Sequence, residues 1–107
     1  MNDLIARRCH PLEGRAAFTA AEIAAHLAES PGWALIDGAL QKRFDFPDFH
    51  RTMAFVNAVA WIAHVEDHHP DLQVSHGQCA VRFHTHSVRG ISINDFICAA
   101  KVDVLLP

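Results

Sequence analysis

The sequence predicts an α+β fold: a four-stranded antiparallel sheet with three helices packed on one face, in the order αββαββα. Three observations carry that expectation. Short alternating segments flank two turn signals, Asp37-Gly38 and His76-Gly77. One long stretch, 47–67, has helical rather than strand periodicity. Two further segments begin with helix-capping pairs. Strands joined by hairpins and interleaved with helices imply one sheet with its apolar face covered.

Taken in order, Thr19 followed by Glu22 is a capping box that opens a helix over 20–30, with Ile23 and Leu27 on its inner face. Pro31-Gly32 ends it. Residues 33–36 read as a short strand, and Asp37-Gly38 as a tight hairpin turn. The return strand, 39–46, sets Leu40, Phe44 and Phe46 on one face against Gln41, Arg43 and Asp45 on the other. Pro47-Asp48 starts the long helix. Phe49, Met53, Val56, Ala60 and Ala63 form one apolar stripe, and Phe55, Val59 and Ile62 a second. A helix apolar around most of its middle is either central to the fold or meets another subunit. Pro70 disfavours helical geometry at His69, so the helix is expected to end at the His68-His69-Pro70 triplet. Strands follow over 72–75 and 79–86, the second with Ala80, Arg82, His84 and His86 on one side. Ser92 with Asp95 caps the last helix, which carries Ile93, Phe96, Ile97 and Ala100.

Composition narrows the function. Of 107 residues, 50% are hydrophobic and 20% charged, which excludes disordered and low-complexity classes. Nine basic against twelve acidic residues give a net charge of −3, so no nucleic-acid partner is expected. No apolar run reaches the roughly 20 residues of a membrane span, and the N-terminus is too polar for a signal peptide. A cytoplasmic location is the expectation. The whole chain, 1–107, reads as a single domain, with 1–13 as an N-terminal extension. Cys9, Cys79 and Cys98 have neither the number nor the spacing of a disulfide framework or a cysteine zinc site.

Histidine is the unusual count. There are nine, and five of them, His64, His68, His69, His84 and His86, fall within 23 residues, with His76 between. His64 and His68 are four apart at a helix end and are expected to share a face. His10, His26 and His50 read as surface residues, and so does His84. Two chemistries suit the cluster. H-x-x-x-H with H-x-H supplies imidazoles for zinc or a similar cation. Alternatively, neutral and protonated imidazoles move protons on a small substrate without a metal. Composition does not separate them.

Several segments together resemble the pterin-4a-carbinolamine dehydratases: Gly32-Trp33, Phe44-Asp45-Phe46 with Asp48-Phe49, and 55–60, then His68-His69-Pro70, Thr85-His86, and Gly90-Ile91-Ser92 with Asp95. The resemblance covers about residues 14–105. It implies the α+β fold already read from the residues, and a hydro-lyase that removes water from 4a-hydroxytetrahydropterin to give quinonoid dihydropterin in tetrahydropterin recycling. It implies His68, His69 and His86 as catalytic residues, and His64, Asp67 and Asp95 as substrate contacts. No cofactor or metal is implied, the pterin being the substrate. His64 stands where the family carries an acidic residue, and Leu72 and His76 stand where it carries aromatics. Asp95 also has a plain structural use, as the capping partner of Ser92. Some animal members act as dimerisation partners of a transcription factor, so a non-catalytic interaction protein is the further class. The long helix and the open sheet edges lead us to expect a homodimer or homotetramer.

Overall fold

A computed structural model describes residues 3–106. Met1, Asn2 and Pro107, the ends of the domain and extension read from the sequence, lie outside the described residues. After a 3-10 turn at Leu4–Ala6, the elements are α1 (Ala20–Leu27), β1 (Ala34–Ile36), β2 (Ala39–Asp45), α2 (Phe49–Glu66), β3 (Asp71–Ser75), β4 (Gln78–Phe83) and α3 (Ile93–Asp103). A second 3-10 turn, His86–Val88, joins β4 to α3. The expected order, αββαββα, is the observed one.

All strand pairs are antiparallel, in the order β1-β2-β4-β3. The β1–β2 turn places Asp37 at φ 49° and Gly38 at φ 80°. Positive φ at both central residues is what the type I′ turn needs, and Asp-Gly tolerates it. The register sets Leu40 opposite Phe83 and Phe44 opposite Cys79, and these four are buried on the inner face. Arg43 and Asp45 point to solvent as the alternation requires. Lys42 falls on the inner face yet stays satisfied, since its Nζ lies 2.8 Å from Asp103 Oδ1 at the end of α3. Trp33 Nε1 donates to Asp103 Oδ2 at 3.0 Å, so one carboxylate ties α3 to the β1–β2 edge.

The core lies between the sheet, α2 and α3. Phe83, Phe96, Leu40, Ile97, Val59 and Val81 are its largest fully buried side chains. Removing one such aromatic costs about 3–5 kcal/mol, because the site cannot collapse around the void. The core face of α2 draws Phe55 and Val59 from the second stripe and Ala63 from the first. The buried positions are Thr52, Phe55, Val59, Ala63 and Glu66, while Phe49 and Ala60 of the first stripe are exposed.

Several element ends shift from the sequence expectation, most by a residue or two, and three of them have a clear local cause. Helix α1 stops at Leu27, three residues early, where backbone bonds from Glu29 and Ser30 tighten the last turn. Helix α2 stops at Glu66 because Asp67 takes the left-handed conformation, φ 52° and ψ 43°. The break therefore precedes the triplet, and Pro70 is not its cause. Strand β4 ends at Phe83 rather than His86. Thr85 instead forms an isolated bridge with Gly90, and the 3-10 turn between them carries His86.

Candidate active site

The reversal at Asp67 decides where the histidines go. Since His68 follows a left-handed residue, it does not continue the face of His64. The His68 ring turns inward and stacks on Phe83, with centroids 6.0 Å apart and planes 10° off parallel. Its side chain is 11% exposed. His64 stays on the outer surface against Trp61, so the expected shared face of His64 and His68 does not form.

Inside, His68 Nε2 lies 2.7 Å from Oδ1 of Asp95, whose side chain is fully buried. The other oxygen, Oδ2, accepts from the Thr85 hydroxyl at 2.7 Å and from the Ser92 backbone N–H at 2.9 Å. Proton counting fixes the direction of the rest. Thr85 has one hydroxyl proton and gives it to Asp95, so the Ser92 hydroxyl, 2.6 Å away, must donate to Thr85. The Ser92 oxygen in turn accepts from the Asn94 N–H. Asp95 is thus both the capping acid of α3 and the carboxylate that orients His68. A carboxylate accepting from Nε2–H selects one imidazole tautomer and leaves Nδ1 as the ring atom open to a ligand.

A cavity of about 550 Å³ opens beside this pair. Asp67, His68 and His69 line it from the end of α2, and His84, Thr85 and His86 line it from the connection after β4. The segment from Cys9 to Glu13 supplies a third wall. Among the residues expected in the site, His68, His69, His86 and Asp67 meet at this cavity. Asp95 stands behind His68, and His64 lies outside. His84, read from sequence as plain surface, also lines the cavity, with its ring 6.2 Å from that of His86 and Nε2 3.7 Å from Asp71 Oδ2. Of the other histidines, His26 stacks between Phe18 and Phe96, at 5.0 and 4.9 Å, and serves packing. His76 stacks on the exposed Phe49. Leu72 packs at the edge of the core.

Sequence reasoning missed Glu66 and the wall it anchors. Glu66 is the floor of the cavity, with its side chain 3% exposed. It accepts from the Cys9 N–H at 2.8 Å and from Lys101 Nζ at 3.0 Å, with Arg8 Nε also at 3.0 Å. Burial alone pushes this carboxyl up. The hydrogen bonds from Cys9, Lys101 and Arg8 outweigh it and hold Glu66 below the usual carboxylate value. Asn94 clasps the same wall, donating to His10 O at 2.8 Å and accepting from the His10 N–H at 3.3 Å. A signal for Glu66 existed: it falls on the buried α2 stripe, three residues after Ala63, where an acid needs a partner.

Residues 16–105 match the family model for pterin 4 alpha carbinolamine dehydratase. A protein of Nitrosomonas eutropha is 50% identical over 106 residues, covering 97% of this chain and 94% of its own length. One from Stenotrophomonas maltophilia is 54% identical over 101 residues, covering 92% and 87%. Both bear the provisional name pterin-4-alpha-carbinolamine dehydratase. Among solved structures, a transcriptional coactivator/pterin dehydratase from Brucella melitensis superposes with a TM-score of 0.81 at 28% identity, over 85% of this chain and 99% of its own.

Proposed function

The chain belongs to the pterin 4 alpha carbinolamine dehydratase family, and we propose that it is a hydro-lyase converting 4a-hydroxytetrahydropterin to quinonoid dihydropterin. The observation that carries this reading is the buried His68–Asp95 pair at the wall of a histidine-lined cavity.

The reaction breaks the C4a–OH bond and the N5–H bond, forms C4a=N5, and releases water. It therefore needs a base for the N5 proton and an acid for the departing hydroxyl. His68 suits the first task. With Nε2–H held by Asp95, Nδ1 carries the lone pair, and the carboxylate stabilises the imidazolium that forms. His86, exposed on the 3-10 turn that lines the same cavity, suits the second. His69 follows in the chain, exposed and beside Pro70, and is assigned to holding the ring system together with Asp67. The role of such an enzyme is to return a spent tetrahydropterin to its cycle.

Proton transfer between histidines and substrate needs no metal. Among the described residues, no group of three or more His, Cys, Asp or Glu is placed to hold one. The acid/base reading is the one proposed, and elemental analysis of untagged protein should find well below one metal ion per chain. Zinc at one equivalent, with activity lost on chelation and restored by zinc, would reverse the choice. Also part of this proposal are assembly as a homodimer or homotetramer and a cytoplasmic location. No helix among the described residues is long and apolar enough to cross a membrane. The direct test is dehydration of freshly generated 4a-hydroxytetrahydropterin, corrected for the spontaneous reaction. A rate no faster than that background would reject the activity.

A further inference from the structure

Cys9 and Cys98 are 89 positions apart in the chain, yet their sulfurs lie 3.6 Å from each other. Cys98 is fully buried in the middle of α3, whereas Cys9 is half-buried in the wall of the cavity. The backbone around Cys9 is anchored on both sides of the sulfur. Its own N–H donates to Glu66, and the next residue, His10, is clasped by Asn94. The Cys9 thiol, also 3.6 Å from Asn94 O, thus faces Cys98 from a segment held by these hydrogen bonds and by the buried Leu12 side chain. Cys79 is buried on β4 and takes no part.

We propose that Cys9 and Cys98 are an oxidisable pair that closes to a disulfide when the protein meets a hydroperoxide, latching the Cys9–Glu13 wall of the cavity to α3. The half-buried Cys9 reacts first. Its sulfur attacks the peroxide, the O–O bond breaks, and Cys9 becomes a sulfenic acid while an alcohol or water departs. The Cys98 sulfur then attacks the Cys9 sulfur. The S–O bond breaks, and the hydroxide leaves as water with the Cys98 proton. Two thiols have lost two electrons to one peroxide, and the balance is complete. Contact with Cys9 and burial both push the Cys98 thiol up, which argues against Cys98 as the first nucleophile. A disulfide needs the sulfurs at about 2.05 Å. Cys98 is fixed in the core, so the cavity wall makes the approach.

The test reads covalent state and not turnover, so it stands apart from the pterin reading. Reduced full-length protein is treated with hydrogen peroxide, alkylated, digested without reductant and examined by mass spectrometry. A Cys9–Cys98 linked peptide is expected, with Cys79 still alkylatable after denaturation and dithiothreitol reversing the link. Hydrogen exchange at the Cys9–Glu13 amides should slow about tenfold or more in the oxidised protein. Over-oxidation of Cys9 without a link, a Cys9–Cys9 bond between chains, or a link that leaves exchange unchanged would overturn the latch. Cys9→Ser, at a half-buried position, should leave Cys98 unoxidised. Oxidation of Cys98 at an undiminished rate in that variant would refute the order of steps.

Discussion

At the scale of single residues, the site depends on which ring nitrogen of His68 carries the proton. Asp95→Asn keeps the shape and one acceptor oxygen. If that oxygen stays with Thr85 and Ser92, the amide N–H₂ faces His68 Nε2 and can only donate to it. The imidazole must then carry its proton on Nδ1, and the open nitrogen is no longer a base. We expect Asp95→Asn to lower kcat by about 10²-fold or more, with a stability loss of about 1–3 kcal/mol. Full activity in a folded Asp95→Asn variant would sever Asp95 from catalysis. His68→Ala and His86→Ala should each lower kcat by about 10²-fold or more, and His69→Ala should act mainly on KM. His84 lines the cavity and cannot serve as the inert comparison. His50, exposed at the start of α2, can. The triplet, His86 and Asp95 were legible because each sits in a short motif. Thr85, though in the Thr85-His86 motif, and Glu66, though on the buried stripe of α2, did not declare their roles, because these come from partners 10 and 57 positions away in the chain.

At the scale of elements, the end of α2 controls the site. Asp67 is non-glycine at positive φ and also lines the cavity, so its conformational and binding roles must be separated. Asn tolerates the left-handed region as well as Asp does. Asp67→Asn should therefore change unfolding free energy by less than about 0.5 kcal/mol while raising KM. An unchanged KM would assign Asp67 to the turn alone. One residue earlier, Glu66 predicts a pH dependence. Its folded value lies below the ordinary 4.5, so it stabilises the protein above pH 4.5, and that stability is lost as pH falls through the folded value. Glu66→Gln should cost about 1–3 kcal/mol at pH 7, and denaturant titrations of the two proteins should converge as pH falls below 4.5 and through the folded value of Glu66. A gap that stayed constant down to pH 3 would contradict the assignment. Element types and order were readable from capping pairs, turn residues and periodicity. The ends of α2 and β4 were not, because a single left-handed residue and one bridge set them, and neither leaves a compositional mark.

At the scale of the whole molecule, the apolar surface left uncovered argues for assembly. The sheet is open at both edges, β1 and β3, and apolar side chains accompany the exposed hydrogen-bonding groups: Leu35 is 46% exposed, Ile36 40% and Val74 39%. Neither edge carries a proline or a bulge to deter pairing. The outer side of α2 adds Trp61 at 66% exposure, Phe49 at 50% and Val65 at 40%. Scattered exposed leucines need no explanation, but a tryptophan with neighbouring apolar residues on one helix is a surface that a second copy can bury. Edge pairing would give a dimer with a continuous sheet, and helix contact would then join dimers into a tetramer. We expect sedimentation at micromolar concentration to show a dimer or tetramer. Val74→Lys places a charge on the β3 edge and should shift the distribution toward monomer if that edge pairs. Trp61→Ser should reduce a tetramer to a dimer without unfolding it, since Trp61 lies outside the core. A monomeric wild-type protein would reject the assembly, and a tetramer indifferent to Trp61→Ser would remove α2 from the interface.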